Sequence, residues 1–136
     1  MLKIIPKLIK YPYRLLIKLR FLNEKGLKNK FSTIYNNNYW DNKESLSGPG
    51  SSLKNTKNLR KKLPIIIKKY GIRSIVDAPC GDCNWIQHII KKSQIKYTGI
   101  DIVKKCIDNN KLKFKDKNFS FKQMDITKDK LPRADL

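Results

Sequence analysis

Ile75-Val76-Asp77-Ala78-Pro79-Cys80-Gly81-Asp82-Cys83-Asn84-Trp85 is the stretch on which the fold turns. A short apolar run ends in an acid, passes through turn-forming residues and enters a segment where Trp85, Ile86, Ile89 and Ile90 share one helical side. This predicts a strand over 74–78 and a helix over 84–92. A loop between such elements holds a ligand against backbone N–H groups and the positive end of the helix. Gly81, with no side chain, admits a ligand close to the main chain, and Asp77 is placed to face a cationic group.

The same grammar continues downstream. Residues 96–101 form a second apolar strand ending in Asp101, 103–113 a second helix, and 119–124 a third strand followed by Asp125. An acid at the end of the second strand can accept from both hydroxyls of a ribose. One after the third is suited to an adenine amino group. Residues 134–136 read as the start of a fourth strand. Strand, helix, strand, helix, strand predicts an α/β fold, a Rossmann-like parallel sheet with right-handed crossovers, with Asp77, Asp101 and Asp125 along one edge. Structurally, the same aspartates could simply cap turns and end strands.

Upstream, residues 51–70 carry Leu59, Leu63, Ile66, Ile67 and Tyr70 at helical spacing, with Ser51 or Ser52 as cap, Gly71 as stop and Pro64 as a kink. Residues 23–50, with an Asn run at 36–38 and Ser47-Gly48-Pro49-Gly50, read as loop. Residues 1–22 alternate apolar and basic positions. Pro6 and Pro12 break their start and leave 13–22 as a short amphipathic helix. That helix fits either a peripheral membrane contact through Leu15, Leu16, Leu19 and Leu22, with Arg14, Lys18 and Arg20 at the headgroups, or packing on the rest of the domain. The expected division is a basic helix and polar loop over 1–50 and a sheet domain over 51–136.

The net charge of +20, from 31 Lys and Arg against 11 Asp and Glu, invites a nucleic-acid partner or an anionic membrane surface. The excess is scattered Lys among many Asn and Ile, the pattern of an AT-rich coding sequence. No helix-turn-helix or aromatic platform accompanies it. Three cysteines without a cleavable signal point to a reducing, cytoplasmic setting. Every apolar run is interrupted by Lys or Arg well short of the roughly 20 residues a transmembrane segment needs.

The Asp-Ala-Pro-Cys-Gly-Asp block, the following Trp85 and the acids at 101 and 125 resemble the class I S-adenosylmethionine-dependent methyltransferases over residues 40–136. The resemblance implies an enzyme with S-adenosyl-L-methionine as cofactor. On that pattern Asp77, Ala78, Pro79, Cys80 and Gly81 form the loop around its methionine part, Asp101 binds its ribose, Ile102 packs on its adenine, and Asp125 with Ile126 meets the adenine edge. The segment 40–53 resembles a lead-in that folds over the cofactor. Pro79 and Cys83 stand where the family has glycine, so Cys83 is expected to bring a side chain near the ligand. Residues that bind the methyl acceptor or act catalytically begin, in the family, at the fourth strand, so 51–136 is expected to be the cofactor-binding half and no catalytic residue or acceptor is assigned.

Two other chemistries fit parts of the same stretch. Cys80-Gly81-Asp82-Cys83 is a CxxC between strand and helix, the thioredoxin-like arrangement in which a helix end lowers the first thiol's pKa. Against it, the acids at 101 and 125 go unexplained. Cys80, Cys83, His88 and Cys106 could supply a zinc site, although their spacing fits no compact ligand pattern. No metal is expected.

Overall fold

Three short segments rich in β-branched or aromatic residues pair as a parallel sheet. The computed structural model describes residues 7–136, with side chains from Tyr13 onward. Strands β1 (Ser74–Asp77), β2 (Lys96–Asp101) and β3 (Phe119–Gln123) lie in the order β1-β2-β3. Ile75 faces Tyr97, Asp77 faces Gly99, and Asp101 faces Gln123. The expected α/β class and parallel sheet are thus present at the level of three strands with flanking helices.

The fourth strand does not form as a strand, yet residues 135–136 run along the free edge of β1. The Leu136 N–H donates to the Ser74 carbonyl at 3.2 Å and the Val76 N–H donates to the Leu136 carbonyl at 2.8 Å. Two bonds that bracket one residue, Ile75, are the pattern of a parallel pair. Asp135 anchors the approach by accepting from the Arg73 and Ser74 backbone N–H groups and the Ser74 hydroxyl.

The helices are α1 (Lys7–Asn23), α2 (Leu27–Asn36), α3 (Lys57–Tyr70), α4 (Gln87–Ile90) and α5 (Lys104–Lys113), with a 3₁₀ turn at Pro49–Ser51. Several expectations change. Helix α1 runs through Pro12 from Lys7; the expected break at Pro6 lies outside the described residues. Helix α2 occupies part of what reads as loop, because Leu27, Phe31, Ile34 and Tyr35 share one side and Tyr35 is buried against Val103 and Cys106. Helix α3 starts at Lys57, after Ser51 and Ser52, and continues through Pro64 to a left-handed Gly71. The helix expected over 84–92 shrinks to four residues, since Gly81 and Cys83 both take positive φ and hold the chain in turns as far as Ile86. Among the described residues no helix is long and apolar enough to cross a membrane.

The core lies between β1–β3, α3, α4 and α5. Ile90 and Ile100 are fully buried, and Phe114 stacks on Phe119 at 4.9 Å between ring centroids. Packing is tight enough at β2 to require glycine. A Cβ on Gly99 would lie 2.7 Å from the Phe121 ring and 3.0 Å from Cys80 Sγ. Overpacking of this kind costs about 1–3 kcal/mol. Gly99→Ala should therefore lower the thermal midpoint, and Gly99→Ala/Phe121→Leu should lose less stability than the two single variants summed, as read by chemical denaturation.

Candidate functional site

Parallel strands carry their connecting loops to one edge, and here that edge bears the acids. Asp77 ends β1, Asp101 ends β2, and Asp125 lies two residues past β3. All three line a single cavity of about 530 Å³. Pro79, Cys80, Gly81, Ile102 and Ile126 line it as well, while Ala78 does not reach it. The opposite wall comes from Phe31, Ile34 and Tyr35 of α2 and from Trp40, Leu46 and Ser47. Trp40, Leu46 and Ser47 belong to the segment 40–53 expected to fold over this edge, whereas the α2 part of the wall reads as loop in the sequence. The signal for that part is the helical spacing of Leu27, Phe31, Ile34 and Tyr35 inside a polar stretch.

Each acid has a different environment. Asp77 accepts from the Tyr97 hydroxyl at 2.6 Å. Burial raises its pKa, the Tyr97 bond opposes the rise, and the nearby Asp101 charge adds to it. Asp101 accepts from the Gly81 N–H at 3.1 Å and the Val103 N–H at 2.9 Å, tying the β1 loop to the end of β2. Its pKa is also raised by burial, against those backbone bonds. Asp125 is different: it accepts from the Thr127 hydroxyl and N–H at 2.6 and 3.0 Å, bonds that lower its pKa.

The cavity's electrostatics run against those of the whole molecule. The chain carries 31 Lys and Arg, yet no Lys or Arg is among the described residues lining the cavity, where three aspartates stand. A neutral or cationic ligand is favoured over an anion.

Asp82 holds the far wall in place. Its carboxylate accepts from the Ser45 hydroxyl at 3.0 Å, the Leu46 N–H at 2.8 Å and the Ser47 hydroxyl at 3.3 Å, while its own N–H donates to Ser47 Oγ at 2.9 Å. Glu44 adds a second tie through the Asn84 amide at 2.8 Å. Ser47 crosses directly above Gly81, where a Cβ would come within 2.1 Å of Ser47 Oγ. The missing side chain of Gly81 therefore makes room for this strap, its N–H donates to Asp101, and the residue also lines the cavity.

Cys83 also corrects an expectation. Its φ of 54° is the left-handed conformation glycine favours, but its side chain turns inward and is 2% exposed. Its sulfur lies 3.4 Å from the Tyr97 hydroxyl, and the residue does not line the cavity. Cys80, Cys83 and Cys106 converge on the Asn110 amide at 3.7–3.9 Å, and that amide donates to the Gly81 carbonyl at 2.7 Å. Bonding to Cys83, then burial, push the Cys80 thiol up. Neither thiol sits at a helix N-terminus, so the activation on which a thioredoxin-like dithiol depends is missing. His88 is exposed, and among the described residues no group of His, Cys, Asp and Glu is arranged to hold a metal ion.

No protein-family model, curated protein or solved structure matches the chain.

Two outcomes follow from these bonds. Asp82→Ala should release residues 45–47, raising their amide hydrogen exchange, and cost about 1–3 kcal/mol through donors left unpaired. The raised Asp77 and Asp101 carboxyls hold protons in the folded state to higher pH than in the unfolded state. Their contribution to stability is therefore greatest at acidic pH and falls as pH rises through the unfolded and then the folded pKa. Asp77→Asn, which keeps an acceptor for Tyr97, should be more stable than the parent near neutral pH and converge with it in acid, as read by urea denaturation across pH.

Proposed function

We propose that the cavity binds S-adenosyl-L-methionine and that this chain is the cofactor-binding portion of a methyltransferase. The observation that carries the reading is the set of three aspartates at successive strand ends, facing one cavity that has no lysine or arginine in a chain of net charge +20. The ligand brings a sulfonium and an α-ammonium on an apolar, aromatic and hydroxylated body, which matches acids set among Trp40, Phe31, Ile102 and Ile126. The residue pattern resembling the methyltransferases at 77–81, 101–102 and 125–126 supports the same choice over other cationic ligands.

In this reading Asp77 takes the α-ammonium. The cation offsets the burial that raises Asp77's pKa, so binding releases any proton held there. Asp101 accepts from the ribose hydroxyls while keeping its grip on the 81 and 103 N–H groups. Asp125 and Ile126 meet the adenine edge, and Ile102 packs on its face. Ala78, Pro79, Cys80 and Gly81 shape the loop around the methionine part. When bound, the cofactor would supply an electrophilic methyl group for transfer to a nucleophile, with the neutral thioether as leaving group. The chain's part is to orient the cofactor and exclude water, with Phe31 and Trp40 as the covering wall. The acceptor and any group that takes its proton are not assigned.

Isothermal titration with S-adenosylhomocysteine tests this. The parent should bind. Asp101→Ala should weaken binding by about 10–150-fold, the range for a hydrogen bond to a charged group. Asp125→Ala, half-buried and away from the β1 loop, gives a second measure that leaves the Asp101 bonds to the 81 and 103 N–H groups in place. A parent that shows no binding heat and no ligand-induced rise in thermal midpoint would remove the reading.

A further inference from the structure

Among the described side chains of helix α1, apolar residues lie on two opposite sides, one packed toward the protein and one exposed. Tyr13, Ile17 and Phe21, spaced four apart, turn toward the protein. Ile17 is 6% exposed, the Tyr13 hydroxyl donates to Asn37 Oδ1 at 3.5 Å, and Phe21 lies 6.2 Å from the Tyr39 ring. Leu15, Leu19 and Leu22 fall on the far side, about 140–200° around the helix from Ile17 at ~100° per residue, with Leu16 beside them. These leucines are 57%, 48%, 61% and 64% exposed in the order 15, 19, 22, 16. The helix carries no acidic residue along its length. Arg14 and Lys18 are exposed along one border of the leucine stripe; Arg20, at the other border, pairs with Glu24 at 3.4 Å.

We propose that this leucine face is a docking surface for an anionic lipid bilayer, with α1 lying in the plane of the headgroups. Two features choose this occupant. The cations sit at the border of the stripe and not across it, so the leucines can enter the acyl boundary while Arg14 and Lys18 stay at the level of lipid phosphates. The whole chain, at +20, is drawn to a negatively charged surface before the leucines engage. A nucleic acid would use the cations but leave the leucines in water. The contact of Ile17 and Phe21 with the body of the protein fixes which side of α1 faces outward, so the leucine side is presented without rearrangement. Nothing in this proposal depends on the cofactor reading.

Co-sedimentation of the full chain with vesicles of phosphatidylcholine, alone or mixed with phosphatidylserine, tests it. The parent should bind the mixed vesicles, and bind less as salt rises. Leu15→Asn/Leu19→Asn should weaken that binding at least about tenfold, and Lys18→Glu should weaken it on the mixed vesicles while leaving neutral ones unaffected. Because these side chains are exposed, circular dichroism and the thermal midpoint should match the parent, which separates lost binding from lost folding. The proposal is overturned if the parent ignores vesicles, if the leucine variants bind as it does, if the stripe instead mediates a dimer that the leucine variants dissolve, or if duplex DNA is bound equally by parent and leucine variants while vesicles are not.

Discussion

The carboxylate of Asp82 is the main fastening between the loop after β1 and the segment that forms the cavity's far wall. The strand-end acids form only a floor. The opposite wall arrives from residues before position 50, and Asp82 fastens it by accepting from Ser45, Leu46 and Ser47 together. The clamp needs Gly81 beside it, because Ser47 passes where any side chain would stand. It also needs the chain to stay in turns from Gly81 to Ile86, since a longer helix there would carry Asp82 away from the strap. The turn, the glycine and the shortened α4 are parts of one constraint.

Much of the sheet is legible in the residues themselves. Strand β2 and helix α5 lie where apolar spacing puts them, because their patterns are bounded by polar or turn-forming residues and their neighbours in sequence are their neighbours in space. The acids at 77, 101 and 125 share a cavity because the strand period places them at one edge. What the residues hide is long-range. Helix α2 sits among Asn and Lys and is held by Tyr35 packing on α5, a contact with no local signature. Trp85 and Ile86 have helical spacing, yet Asn84 is tied to Glu44 and to the Ser51 carbonyl, partners at least 33 residues away that keep the chain in a turn. The role of Asp82 is invisible for the same reason.

The three thiols show how one sequence motif can carry unrelated meanings. A CxxC motif between a strand and a helix suggests reactivity. In the fold the sulfurs point inward and surround Asn110, whose amide also holds the Gly81 carbonyl. Cys83 thus combines a backbone shape typical of glycine with a side chain used as a small core residue, and it does not line the cavity.

The two hydrogen bonds between Leu136 and β1 have a topological consequence. They put the chain after β3 on the outer flank of β1, so β1 becomes interior and successive crossovers diverge from it in opposite directions. Where connections part in this way, the loops above the strand splay and leave a crevice at its carboxyl end. Asp77 stands at that end, so the direction in which the chain winds, and not only the identity of its side chains, opens the space above the first acid.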